Sequence, residues 1–210
     1  MAIEKKVNTT VLNKNLEKAL KSYLKTGSGD QAELIKDLLA KGADANLLVL
    51  DPDGTGVKHS VLWYLLDTPD IVQVLIEKGA NVDVITDTGG LSPLHNTIGY
   101  GSESYFRTTR LLVENGANVN SSKNSGETVL MAAVKSAIND EERVSLVQLL
   151  VEKGANSDAT DSSGRTALQR LMAEVEKRQA RHLALLEEEK AEHQAMLGRV
   201  DVLSRILQKG

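Results

Sequence analysis

Apolar residues along this chain switch between two phases. In "LLVENGANVNSSKNSGETVLMAAV" (111–134) a helix-like run breaks at Gly116, passes through a short β-like patch and a Ser/Asn/Gly turn, and gives way to a second apolar run. The same words recur as "LLAKGADANL", "VLIEKGANVDV" and "LLVEKGANSDA". The Gly-Ala glycines are Gly42, Gly79, Gly116 and Gly154, so the steps are 37, 37 and 38 residues. A fixed period of this size marks a stacked-repeat architecture, because a single helix pair cannot bury its own apolar face. The turn half repeats in phase, as "DPDG" (51–54), "DTGG" (87–90), "KNSG" (123–126) and "DSSG" (161–164), each leading into the helix starts "HSVL", "LSPLH", "ETVLM" and "RTALQ". The pattern predicts an all-α, helix-turn-helix solenoid.

Local chemistry agrees with that reading. Ser60, Ser92, Thr128 and Thr166 stand where a hydroxyl can accept from a backbone N–H two or three residues on and cap the helix. Pro93 occupies a first helical position, where its missing N–H costs nothing. Leu62, Leu94, Leu130 and Leu168 are expected to be the first buried side chains, and each Gly-Ala glycine is expected to close a helix in the left-handed conformation. At the N-terminal end Leu12, Leu16, Ala19, Leu20, Tyr23 and Leu24 form one helix face and lysines the other, so the first unit reads as a cap with one wet side. Where the internal outer helices carry Val74, Leu111 and Leu149, the first has Asp37, and the run "VDVLSRILQKG" (200–210) places Arg205 there. Polar choices at both ends predict about five repeats, the first and last being caps. The expected boundaries are 10–46, 47–83, 84–120, 121–158 and the start of a last repeat at 159–173, giving an array over 1–173. Residues 174–210 then form an elongated, charged helical extension with a capping helix at its end. Between Met172 and Val202 there is no Pro, no Gly before Gly198, and a surplus of strong helix formers. One continuous helix from Thr166 to about Leu197 or an elongated hairpin turning near Glu187 to Glu189 both fit; the hairpin keeps 200–210 on the array and is the preferred expectation.

This pattern resembles the ankyrin repeat, and "SPLHNTI" (92–98) is close to that family's Thr-Pro-Leu-His helix start. The resemblance covers roughly residues 10 to 172 and resumes at 200 to 210. It implies a structural hydrogen bond for His95, and a concave binding face built from the turn tips and the first helix of each pair. On that face the second repeat would expose Asp53, Tyr64, Asp67 and Thr68. The third would expose Thr88, Leu91, Asn96 and Tyr100, and the fourth Asn124, Glu127, Lys135 and Ser136. The fifth would expose Ser162, Arg165, Arg170 and Glu174. Five of the six aromatics (Trp63, Tyr64, Tyr100, Tyr105 and Phe106) fall in the second and third repeats, and Tyr, Trp and Arg concentrate interface energy. The implied function is non-enzymatic protein–protein interaction with a partner of unknown identity.

Composition narrows the alternatives. Net charge is −4, distributed as +4 over 1–25, −8 over 26–173 and zero over the rest. An acidic repeat body disfavours nucleic acid, whose phosphates require a basic face. No apolar run reaches the roughly 18–20 residues a membrane helix needs, and residues 1–18 lack the apolar core of a secretory leader, so a cytoplasmic chain is expected, or an intracellular one if it is delivered into a host. Cysteine is absent, which excludes disulfides and thiolate zinc sites. His59 reads as a loop histidine without partners. His182 and His193, with Glu189 one turn away, read as a solvated helix face rather than a metal pair. "DPDGTG" (51–56) lacks the closing Glu of a calcium loop, and "GSG" and "GTG" lack a phosphate-loop lysine. Neither catalytic, cofactor-binding nor metal-binding residues are therefore expected. A second reading makes the array a spacer and the charged C-terminal helices an oligomerisation element, along an apolar seam at Leu183, Leu186, Met196 and Leu197; a monomer is the primary expectation, a dimer through these helices the alternative.

Overall fold

A computed structural model describes residues 2–51, 55–85, 90–136 and 140–207. Its helices, in order, are α1 (Ala2–Thr26), α2 (Gly29–Ala40), α3 (Val61–Tyr64), α4 (Pro69–Glu77), α5 (Pro93–Tyr100), α6 (Glu103–Glu114), α7 (Val129–Lys135), α8 (Asp140–Glu152) and α9 (Ala167–Leu207). The fold is an all-α helical solenoid: α1 packs on α2, α5 on α6 and α7 on α8, while the outer helices α2, α4, α6 and α8 stack in sequence. One short antiparallel strand pair interrupts it. β1 (Leu48–Leu50) pairs with β2 (Lys58–Ser60), Val49 opposite His59. Val49 is buried while Leu48 and Leu50 are exposed, the alternation of a one-sided strand.

The four Gly-Ala glycines all take positive φ, between 82° and 100°, and close their helices with one motif. Gly116 N–H donates to Val113 O at 3.2 Å and Ala117 N–H to Leu112 O at 2.9 Å. The same pair of bonds follows α2, α4 and α8. These are Schellman caps, in which orphan carbonyls of the last turn find donors and only glycine avoids the left-handed penalty. At the other helix ends Ser60, Ser92 and Thr128 accept from the N–H of Trp63, His95 and Met131 at 3.2–3.3 Å, as their spacing predicts. The core runs along the inner seam, through Leu16, Leu20, Ile35, Leu39, Leu62, Leu75, Leu94, Leu112, Met131 and Leu150, each about 1% exposed or less. Leu, Val and Ile side chains on short stacked helices fill it, which accounts for the low aromatic content.

Two expectations about the C-terminal region are corrected. The elongated helix pair is a single 41-residue helix, with Glu187 to Glu189 in its middle and 200–207 continuing it rather than returning as a separate capping helix. Its composition explains this: Gly198, the one breaker inside it, costs only about 1 kcal/mol relative to Ala, too little to turn a helix otherwise built of strong formers. The ion pair Glu174–Arg178, at 3.5 Å, has the i,i+4 spacing that supports such a helix. The second correction is Leu168, expected in the core but 64% exposed, while its neighbour Ala167 is 5% exposed. Leu94 and Leu130 lie on helices packed against the outer helix that follows in sequence; among the described residues no helix follows α9. By backbone contacts the chain divides into two units, Met1–Leu168 and Gln169–Gly210.

Candidate protein-interaction face

At the exposed Gly-Ala turns, side chains reach from one repeat to the next. In each Gly-Ala segment the Asx residue two after the glycine accepts from the N–H two residues on, forming an Asx turn: Asp44 from Asn46, Asn81 from Asp83, Asn118 from Asn120 and Asn156 from Asp158, at 2.8–2.9 Å. The second Asx of the first three segments then bonds forward. Asn46 Oδ1 accepts from Asn81 N–H at 2.7 Å, Asp83 Oδ1 from Asn118 N–H at 2.8 Å, and Asn120 Oδ1 from Asn156 N–H at 2.8 Å. Asn46 and Asn120 also donate their amides to Gly79 O and Gly154 O at 2.9 Å. Asp83 has no amide to give. Asn13 on α1 starts the series by accepting from Asp44 N–H at 2.8 Å. This ladder ties the four Gly-Ala segments to one another in series, and sequence reasoning assigned it no role, although its letters recur in "GADAN", "GANVD", "GANVN" and "GANSD".

His95 makes a second tie of the same kind. Its Nε2 lies 3.2 Å from Glu127 O in the following repeat, and its Nδ1 2.9 Å from Ser92 Oγ. A carbonyl can only accept, so Nε2 carries the proton and Nδ1 accepts from the serine hydroxyl. Burial, with Lys123 nearby, holds the imidazole below its ordinary pKa and therefore neutral. The structural role implied by the helix-start motif is what the geometry shows. His59 is different from its expectation: it sits on β2, only 9% exposed, stacked on Trp63 at 5.6 Å and edge-on to Tyr64 at 5.6 Å. Its ring neighbours lie four and five residues further on, on α3, which follows β2 directly.

Against this framework the candidate contact residues separate into groups. Asp53 and Thr88 lie outside the described residues. Tyr64 is half-buried, its hydroxyl shielded from solvent, so it belongs more to the His59–Trp63 cluster than to an open face. Leu91 and Asn96 are half-buried. Asn124 packs at a turn tip against Gly90: a Cβ added to Gly90, at φ 71°, would come within 2.6 Å of Asn124 Oδ1. Glu127 is already engaged by Lys123 at 2.7 Å and Lys135 at 3.8 Å. Ser136, 5% exposed, donates to Ala133 O and closes α7, so it is not a surface contact. Arg165 lies 3.4 Å from the buried carboxylate of Asp161, which organises the 161–165 turn by accepting from Ser163 and Arg165 N–H. Ser162 is exposed on that turn. Arg170 and Glu174 lie on α9 in the second unit.

One set does come together. Tyr100, at the end of α5, is 66% exposed and stacks on Tyr105 of α6 at 4.8 Å and 17°. Tyr105 is half-buried, and its hydroxyl is held above its ordinary pKa by burial first and then by the nearby Asp67 carboxylate. Asp67 accepts from Thr68 Oγ1 at 3.0 Å, and Thr68 Oγ1 lies 3.2 Å from the hydroxyl of Tyr23 on α1. Three tyrosines and one acid from three consecutive helix pairs thus line one edge of the array. Tyr23 and Tyr105 were missed as site residues because each looks, in sequence, like part of an amphipathic helix face.

Among the described residues no group of three His, Asp or Glu side chains could hold a metal ion, and no helix is long and apolar enough to cross a membrane. A search of curated proteins returned no match. A family model described as ankyrin repeats (3 copies) matches residues 108–174, which span α6 to the start of α9. That fold is a non-catalytic scaffold, and the Schellman caps and Asx ladder seen inside the matched stretch recur upstream at Gly42 and Gly79. Residues 108–174 thus match the ankyrin-repeat family in sequence.

Proposed function

We propose that the chain is a non-enzymatic, cytoplasmic protein-binding module whose array docks a partner protein along the edge where the first helix of each pair gives way to the second, around Tyr100. The observation that carries this reading is the Tyr100–Tyr105 stack with Asp67 and Tyr23 beside it. An exposed tyrosine stacked on a second ring of a rigid scaffold offers large amphipathic contact area at low entropic cost. The array's acid excess points to a partner face with basic or hydrogen-bond-donating groups, and away from nucleic acid. The test is comparative capture: the full chain and its Tyr100→Ala, Tyr105→Ala double variant are used as baits in parallel, with circular dichroism confirming equal helicity. Loss of the same specific protein from the variant supports the reading. Undiminished capture by the variant places the docking surface elsewhere.

A further inference from the structure

From 175 to 199 every side chain of α9 is exposed, and its apolar and charged residues follow one geometry. Met172, Val175, Leu186 and Met196 fall on a single stripe reached by alternating steps of three and four, the spacing of a coiled-coil seam. The charges flanking that stripe are arranged symmetrically but with opposite sign. Glu176 and Lys190 are equidistant from 183, and Arg178 and Glu192 are equidistant from 185.

We propose that α9 pairs in antiparallel orientation with α9 of a second copy of this chain, centred on residue 184. In that register Met172 meets Met196 of the other copy, and Glu176 meets Lys190 on one flank while Arg178 meets Glu192 on the other. The two-fold axis makes each pair twice, giving four opposite-charge contacts. Leu183 and Leu185, 60% and 55% exposed in the single chain, meet their own counterparts at the centre. The polar positions on the stripe choose the direction. A parallel pair would set Glu189 against Glu189 and both His182 and His193 against themselves, and it would forfeit every flanking charge pair. Reversal instead places Glu189 beside the Gln179 amide and His182 beside Leu186. The seam from 172 to 196 is about 36 Å long at 1.5 Å per residue. This proposal stands apart from the array-face reading, since it uses none of the same residues.

The full chain is tested by light scattering across a dilution series. The expected result is a mass of about 45 kDa, twice the 22.7 kDa chain, dissociating on dilution. Arg178→Glu with Lys190→Glu makes all four contacts like-charged and should weaken the dimer by roughly tenfold or more. Adding Glu176→Lys and Glu192→Arg restores opposite charges in swapped positions and should return the dimer. Orientation is read separately: the chain has no cysteine, so Met172→Cys and Met196→Cys chains, mixed and oxidised, should form the mixed disulfide and neither self-disulfide. A monomeric wild type, a dimer indifferent to the charge reversals, or self-disulfides in place of the mixed one would each overturn the proposal. A monomer would leave α9 to a different partner.

Discussion

The Asx ladder contains its own natural contrast, because one rung is an acid where its neighbours are amides. Asn120 accepts from Asn156 N–H and donates to Gly154 O at 2.9 Å; Asp83, in the equivalent place one repeat earlier, only accepts. Asn120→Asp keeps the shape and the acceptor, removes the donor, and sets a carboxylate oxygen against the Gly154 carbonyl. Losing one net hydrogen bond costs about 1 kcal/mol, and leaving two acceptors face to face raises the total to about 1–2 kcal/mol, solvent access keeping it from going higher. Asp83→Asn does the reverse. It supplies the amide that can reach Gly116 O and should add about 0.5–1 kcal/mol. For a chain of this size each kcal/mol moves the melting temperature by about 2–4 °C. Urea titrations of both variants against the wild type, with equal slopes, give the comparison. The expected outcome is a lower midpoint for Asn120→Asp and a higher one for Asp83→Asn. Shifts of the same sign, or none in either variant, would show that the ladder amides do not couple neighbouring repeats.

The remaining predictions concern backbone, burial and pH. Gly116→Val should cost about 1–2 kcal/mol from left-handed strain alone, since φ is 85° and nothing lies near an added Cβ. Gly126→Val should cost more, because its Cβ would also press within 2.9 Å of Ser162 N; equal urea midpoints for the two would contradict this. Thr108→Val should stabilise by about 1 kcal/mol: the side chain is fully buried and its hydroxyl has no hydrogen-bond partner among the described residues, so a lower melting temperature would reveal a bond in place. His95 has a folded pKa below its unfolded value, so its contribution to stability is complete above pH about 6.5 and is lost as pH falls through that value towards the folded pKa. Melting temperature should therefore drop between pH 7.5 and 5.5, and His95→Gln should flatten that slope.

What the sequence made legible follows from what each feature demands of the backbone. Gly42, Gly79, Gly116 and Gly154 were readable because a left-handed helix end all but requires glycine, and Ser60, Ser92 and Thr128 because few residues cap a helix start. Features that depend on distant partners were not. Asn120 bonds residues 34 and 36 positions away, and nothing local separates it from any other surface asparagine. His59 takes its place opposite Val49, ten residues earlier, only when β1 and β2 pair. Helix α9 was left between two readings because propensity favours helix on both sides of a turn and says nothing about where the turn belongs. Leu168 matched the period of Leu62, Leu94 and Leu130, yet burial needs a covering helix, and periodicity cannot supply one. In the candidate face Tyr100 was placed correctly as exposed, whereas Tyr64 was not, since the same aromatic residue serves a core or a surface depending on what packs above it.

The central claim is that the array edge around Tyr100 docks a protein. Hydrogen exchange on the chain, free and in complex with the protein that Tyr100→Ala, Tyr105→Ala fails to capture, tests it most directly. New protection is expected at 65–68 and 100–106, with little change along 172–199. Protection confined to 172–199, with the 65–68 and 100–106 segments exchanging as in the free chain, would contradict it.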